Sequence, residues 1–169
     1  MYKIVFDSDG LLKARKAAFL DAVSRTYACL LPDEVFQETV VAARNAHPEE
    51  AREIEGLIGE GKIVPRRRAR SAAADRILRW STSLGEGECG ALRLFYQESA
   101  DFLVTDDRAF LNLLTRHRIP FLTPAELLVR LRMENGLTPE GAVQAADRLR
   151  PFVRRDVYEN LRSRLEEMP

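Results

Sequence analysis

Cysteines and long apolar runs are scarce in this 169-residue sequence, and each scarcity excludes a class of protein. Two cysteines, Cys29 and Cys89, are too few for a disulfide scaffold or a zinc cluster. No stretch approaches the roughly 20 apolar residues that a membrane-spanning helix needs. The N-terminal segment becomes acidic at Asp7, before the apolar core of a signal peptide can form. We therefore expect a cytoplasmic protein that does not bind membranes.

The sequence also lacks an excess of charge, because 26 basic side chains balance 26 acidic ones. Proteins that hold nucleic acid through bulk electrostatics usually carry a marked basic excess, so that mode of binding is excluded. A hydrophobic fraction of 46% at this length is ordinary for one globular domain with a short extension. The positions of the charges, rather than their sum, therefore decide which partners the protein can bind.

Short apolar runs alternate with helical patterns over residues 1–125. The runs predict strands at 4–6, 27–31, 62–64, 102–105 and 119–122. Strands that alternate with helices indicate an α/β fold, here a three-layer α/β/α sandwich whose mostly parallel sheet has four to five strands. One helix is predicted across 11–23 with Ala18 buried, and Trp80 and Phe95 are expected in the core. Residues 126–169 have a purely helical pattern, which predicts a C-terminal extension packed on the same domain.

Acidic residues follow two of the predicted strands, at the edge where parallel sheets bind ligands. Asp7 and Asp9 follow the first strand, and Asp106 and Asp107 follow a later one. Glu88 lies in the first turn of the helix that leads to that later strand. Such oxygen ligands suit Mg²⁺ or Mn²⁺, although acids after strands are also typical helix N-caps. The adjacent acids at 106 and 107 need a counter-ion or a metal ion unless they are well solvated.

Four motifs, in this order, resemble those of PIN-domain proteins. They are IVFDSD at 4–9, LPDEVFQE at 31–38, LGEGE at 84–88 and LVTDDRAF at 103–110. The resemblance covers roughly residues 2–125. The tail resembles a bacterial and archaeal subgroup with a C-terminal helical extension, the VapC-like toxin ribonucleases.

The resemblance implies a metal-dependent endoribonuclease that hydrolyses RNA phosphodiester bonds with one or two Mg²⁺ or Mn²⁺ ions. It implies four catalytic acids, which are Asp7, Glu38, Glu88 and Asp107. The implied metal ligands are Asp7, Glu88 and Asp107, together with Asp106, while Ser8 and Thr105 would orient ligands or water. Many relatives have another acid where this chain has Ala109, and Asp106 is the candidate to replace it. The implied partners are RNA, a small antitoxin protein and a second copy of the chain.

Two other interpretations stay open. The acids can persist in a PIN-like module that binds RNA or a protein partner without cleaving RNA. The run Asp7-Ser8-Asp9-Gly10 also matches haloacid-dehalogenase-like phosphatases, in which the first Asp is the nucleophile and the second the acid/base. Those enzymes usually place Thr after the Gly, where this chain has Leu11, and they need a later Lys, whereas no lysine follows Lys62.

A run of arginines provides a second feature for RNA binding. Arg66, Arg67, Arg68 and Arg70 lie within five residues, and arginine binds phosphate well through its forked guanidinium. A basic run is just as typical of a solvated surface turn. The two histidines, His47 and His117, lie near predicted helix ends, where surface or capping roles are expected.

Overall fold

Five parallel strands form the centre of the computed structural model, which describes residues 1–67, 69–81 and 83–168. The strands are β1 (Lys3–Phe6), β2 (Ala28–Pro32), β3 (Ile63–Arg66), β4 (Phe102–Val104) and β5 (Phe121–Leu122). Their order across the sheet is β3-β2-β1-β4-β5, and every pairing is parallel. The α/β class and the strand number predicted from the sequence are confirmed.

Helices connect the strands and cover both faces of the sheet. The first group comprises α1 (Ser8–Lys16), α2 (Leu20–Thr26), α3 (Asp33–Phe36), a π-helical segment (Gln37–Ala42), α4 (Ala43–Ala46) and α5 (Pro48–Gly59). The second comprises α6 (Ala72–Leu78), α7 (Glu86–Gln97) and α8 (Arg108–Arg116). The tail forms α9 (Pro124–Met133), α10 (Pro139–Leu149), a short 3₁₀ turn (Arg150–Phe152) and α11 (Arg155–Glu166). No helix in the described ranges is both long and apolar enough to cross a membrane.

Side chains that alternate along β1 enter two separate apolar cores, as expected for a sheet that is covered on both faces. Ile4 and Phe6 join a core that also contains Leu131, Leu149 and Leu161 of the tail helices. Val5 joins the other core, with the buried side chains of α7 and α8. The tail therefore packs on the same sheet as the rest of the chain.

Two sequence predictions about individual side chains are wrong. The helix predicted across 11–23 is broken, because Ala18 adopts a left-handed backbone conformation (φ 59°) and is exposed. The break turns the chain so that Phe19 enters the core, where it is fully buried. Trp80 follows the end of α6 and is 85% exposed, whereas Phe95 is buried as expected.

Candidate active site

The carboxyl ends of β1 and β4 lie side by side, and this pairing brings two of the acidic motifs together. Phe6 pairs with Val104 in the sheet register. Just beyond that pair, the Asp7 N–H donates to the Val104 carbonyl at 3.1 Å. The segments that start at Asp7 and Thr105 therefore leave the sheet next to each other.

A chain of hydrogen bonds connects Asp7 to Asp107. The Thr105 hydroxyl is fully buried and donates to Asp7 Oδ2. The same hydroxyl oxygen accepts from the Asp107 N–H at 3.1 Å. Each Asp also caps a helix, since Asp7 Oδ1 accepts from the Gly10 N–H at 2.7 Å and Asp107 Oδ1 from the Phe110 N–H at 2.8 Å. The same two aspartates thus cap helices and contribute carboxylates to the site.

The environment of Asp7 opposes a negative charge. The side chain is only 1% exposed, and burial raises the pKa of its carboxyl from 3.8 to about 7. The hydrogen bonds from Thr105 and Gly10 act in the opposite direction, while the negative charges of Asp9 and Glu88 add to the rise. The effect of Glu88 comes from the first turn of α7.

Glu38 reaches the site from the π-helical segment. The Ser8 hydroxyl donates to Glu38 Oε2 at 2.5 Å. A β-carbon added at Gly87 would lie 3.3 Å from Ser8 Oγ and 3.5 Å from Glu38 Oε2, so α7 passes close to both. The structure therefore brings together residues from all four motifs. A π-helix is rare and is often found at functional sites.

Sequence reasoning missed a second acid beside Glu38. Glu34 lies four residues earlier, and its Oε2 is buried and has no hydrogen-bond partner among the described residues. A β-carbon at Gly90 would lie 2.4 Å from that oxygen, so the carboxylate of Glu34 packs directly against α7 at Gly90. The i, i+4 spacing of the two glutamates was the signal that could have identified Glu34.

Lys13 is a counter-ion for Asp106, one of the two adjacent acids. Its ammonium lies 2.6 Å from Asp106 Oδ2 and 2.8 Å from Asp9 Oδ2. Burial lowers the pKa of Lys13, but the hydrogen bonds to both carboxylates outweigh it, so the net shift is upward. Asp106 thus has a partner without a metal ion, and its role as a metal ligand stays a prediction. The i, i+4 spacing of Asp9 and Lys13 is the sequence signal for their ion pair.

Two residues of the arginine run contact α7. Arg66 pairs with Glu98, and the Arg70 N–H donates to Gln97, so both contact the C-terminal end of α7. Glu88 is ten residues earlier, about 15 Å along a helix at 1.5 Å per residue. Arg67 lies between these contacts in the sequence, and Arg68 is outside the described residues. RNA binding by this run stays a prediction.

The histidines occupy the positions expected from the sequence. His47 is exposed and separates α4 from α5, and His117 is exposed at the C-terminal cap of α8.

The donor set suits a hard divalent cation, but the described side chains do not form a finished coordination shell. Carboxylates that follow β1 and β4, or that come from the π-helical segment and α7, share one region, and burial, with a smaller contribution from the charges of Asp9 and Glu88, raises the pKa of Asp7. Within the described ranges, however, no three His, Cys, Asp or Glu side chains lie close enough to hold a metal ion together. The residues fit the ion by their chemistry, because carboxylate oxygens are the ligands that Mg²⁺ and Mn²⁺ prefer.

Comparison with known proteins agrees with this architecture. The family model DUF3368, described as a PIN domain, matches residues 3–167, which include the whole sheet and the tail helices. A search of curated proteins finds no match. PIN domains are typically nucleases and typically bind divalent metals. Because the match covers nearly the whole sequence, the chain belongs to the PIN domain family.

Proposed function

We propose that this protein is a metal-dependent endoribonuclease that hydrolyses phosphodiester bonds in RNA. The observation that carries the proposal is the convergence of four acidic motifs at the carboxyl edge of the sheet. Asp7 and Asp107 are joined there through Thr105, Ser8 binds Glu38, and Glu88 acts electrostatically on Asp7. Membership of a family whose members are typically nucleases supports the same conclusion.

In this proposal Asp7, Glu88 and Asp107 hold one divalent ion, and Glu38 and Asp106 contribute to a second where one binds. A bound Mg²⁺ or Mn²⁺ supplies positive charge beside the RNA phosphate and lowers the pKa of the attacking water. The residues of the chain supply the orientation. Thr105 fixes one oxygen of Asp7 and the backbone of Asp107, and Ser8 fixes one oxygen of Glu38.

Exposure across the site suits a polymeric substrate. Asp7 is buried, Glu88 and Asp107 are half-buried, and Glu38 is exposed. A phosphodiester can therefore approach from the side of Glu38 without passing through the core. The buried carboxylate anchors the site, and the exposed one faces the solvent from which RNA arrives.

The proposal extends to the setting in which the enzyme acts. We infer a cytoplasmic toxin of a toxin–antitoxin pair, inhibited by a small antitoxin protein and active as a homodimer. Expression of the wild-type chain alone should slow growth of the host cell, and Asp107→Asn should not. A short open reading frame that overlaps the gene should restore growth when it is expressed as well.

One observation favours a second candidate, an RNA- or partner-binding module without catalysis. The described acids do not form a ready cluster of three ligands, and Ala109 stands where many relatives have an acid. A haloacid-dehalogenase-like phosphatase is less consistent with the structure, because Asp9, its required acid/base, is ion-paired with Lys13.

An RNA cleavage assay separates these candidates. The wild-type protein should cleave single-stranded RNA in the presence of Mg²⁺ or Mn²⁺, and cleavage should stop when EDTA is added. Asp107→Asn should lower the rate by at least about a hundredfold, a loss typical of a group that stabilises the transition state, and keep the fold.

Asp101→Asn is the matched control. Asp101 lies at the opposite edge of the sheet, where its Oδ2 accepts from the Lys3 N–H at 2.7 Å, and the Asn carbonyl can still accept that bond. Full activity of Asp107→Asn, or no cleavage by the wild-type protein with either metal, would contradict the proposal.

A further inference from the structure

A groove beside the candidate active site combines an exposed aromatic ring with basic side chains. Its cavity of about 300 Å³ lies between the chain that follows α6 and one face of α8. Ala109, Asn112, Arg116 and His117 line the α8 side at helical spacing, and Trp80 and Ser81 line the other side. None of the described residues that line it is acidic.

The groove begins at the acidic edge of the sheet. Asp107 caps α8, and Ala109 is only two residues further along the chain. From Ala109 to His117 the helix advances eight residues, about 12 Å at 1.5 Å per residue. A strand whose phosphate sits at Asp107 can therefore continue along this face of α8 towards Trp80 and Arg116.

The described residues that line the groove include Arg116 and His117 and no acid, although Glu86 and Glu126 lie just outside the two segments that form it. Residues 76–85 contain two arginines and no acid, and residues 108–125 contain three arginines, His117 and no acid. The nearest acid before the first segment, Asp75, is neutralised by Arg93 at 2.8 Å. A nucleic acid is attracted to such a surface, whereas an acidic active site by itself repels it.

Trp80 is the aromatic group that this surface offers. It is the single tryptophan of the chain and is 85% exposed, so its ring is accessible to a ligand. Surfaces that bind single-stranded nucleic acid pair basic grooves with aromatic rings on which bases stack. Hydroxyl and amide groups in the groove favour a polar ligand over an apolar protein segment.

We infer that one arm of the RNA substrate lies in this groove, with a base stacked on Trp80 and its phosphates bound by Arg116 and His117. The inference rests on the proposed function, because it assigns the path of the RNA substrate. It places RNA binding on α8 and on the segment that follows α6, in addition to the binding predicted for the arginine run at 66–70.

The test uses the intact protein and a short single-stranded RNA of mixed sequence in EDTA, so that binding is measured without cleavage. Because Trp80 is the only tryptophan, its fluorescence should be quenched as RNA binds. Trp80→Ala should weaken binding about five- to one-hundredfold, and Trp80→Phe should keep most of the affinity. Arg116→Ala should weaken binding and lower the slope of log affinity against log salt by about 0.7.

Arg52→Ala is the matched control, since Arg52 is exposed on α5, which packs beside β3 at the other end of the sheet. Unchanged fluorescence at saturating RNA, or equal binding by Trp80→Ala and the wild-type protein, would overturn the inference even if RNA is cleaved. RNA binding that depends on Trp80 would support it even if no cleavage occurs with metal.

Discussion

The carboxylate of Asp7 is held where its charge is disfavoured, and this has a cost in the metal-free protein. Burial leaves it 1% exposed, and Asp9 and Glu88 add negative charge nearby. The fixed contacts from Thr105 and Gly10 keep the side chain in place despite that cost. A residue placed against its own electrostatic preference is typical of a functional site, since a bound cation reverses the balance.

The first prediction follows from that pKa. The pKa of Asp7 is about 7 in the folded protein and 3.8 ordinarily, so the folded state binds the proton more tightly than the unfolded state. The free energy of unfolding is therefore highest below about pH 4 and falls as pH rises through 7. The total loss is about 4 kcal/mol at most, at about 1.4 kcal/mol per pKa unit. In EDTA, Asp7→Asn should therefore gain stability over the wild-type protein between pH 4 and 7.

Urea unfolding at a series of pH values measures this difference. The Asn side-chain oxygen can still accept from the Gly10 N–H, whereas the Asn amide nitrogen cannot accept from the Thr105 hydroxyl. That lost bond lowers stability by a constant amount, so the pH dependence of the difference between the two proteins reports the charge. Free energies of unfolding that run parallel for the two proteins across this pH range would show that Asp7 does not titrate as described.

At the scale of elements, close packing of α1 against β4 sets the geometry of the site. A β-carbon at Gly10 would lie 2.4 Å from the Val104 carbonyl oxygen, a backbone atom that cannot rotate away. The position of α1 fixes Ser8 and Asp7 at its start. Glycine is therefore required here by the space between a helix and a strand rather than by backbone conformation.

The second prediction compares two Gly→Ala substitutions in helices. Gly10→Ala should lower the free energy of unfolding by roughly 1–3 kcal/mol, the usual cost of overpacking, and reduce RNA cleavage. Gly56→Ala in α5 has no atom within 4 Å of the new carbon and should raise it by up to about 1 kcal/mol. Chemical denaturation of both variants checks the signs. Stability of Gly10→Ala at or above the wild-type value would contradict the packing described here.

The elements and the residues differ in how far the sequence predicts them. The strands and the acids after them were predictable, because apolar runs and their acidic ends are local patterns. The contact of Lys13 with Asp106 and the approach of Glu34 to Gly90 depend on how separate elements pack, which no local pattern describes. Only the pairing of Lys13 with Asp9 has a local signal, the i, i+4 spacing. The break at Ala18 was missed for a related reason, since burial of Phe19 overrides the helical pattern there. Trp80 was placed in the core on its apolar character alone, although α6 ends before it.

For the whole molecule, the balance of 26 basic and 26 acidic residues hides an uneven distribution. The acids of the four motifs meet at the carboxyl edge of the sheet, while segments 76–85 and 108–125 beside it contain arginines and no acid. Metal ions at the acidic edge would make the combined surface attractive to RNA. The neutral total therefore excludes binding by bulk charge only.

The central claim is that acids from four separate segments act as one divalent-cation site. Calorimetric titration of the metal-free protein with Mn²⁺ tests it most directly. The wild-type protein should bind Mn²⁺ at or below millimolar concentration, Asp107→Asn should bind it at least about tenfold more weakly, in line with the loss of one ligand interaction, and Asp101→Asn should match the wild type. No heat of binding up to millimolar Mn²⁺, or equal binding by Asp107→Asn, would contradict the account.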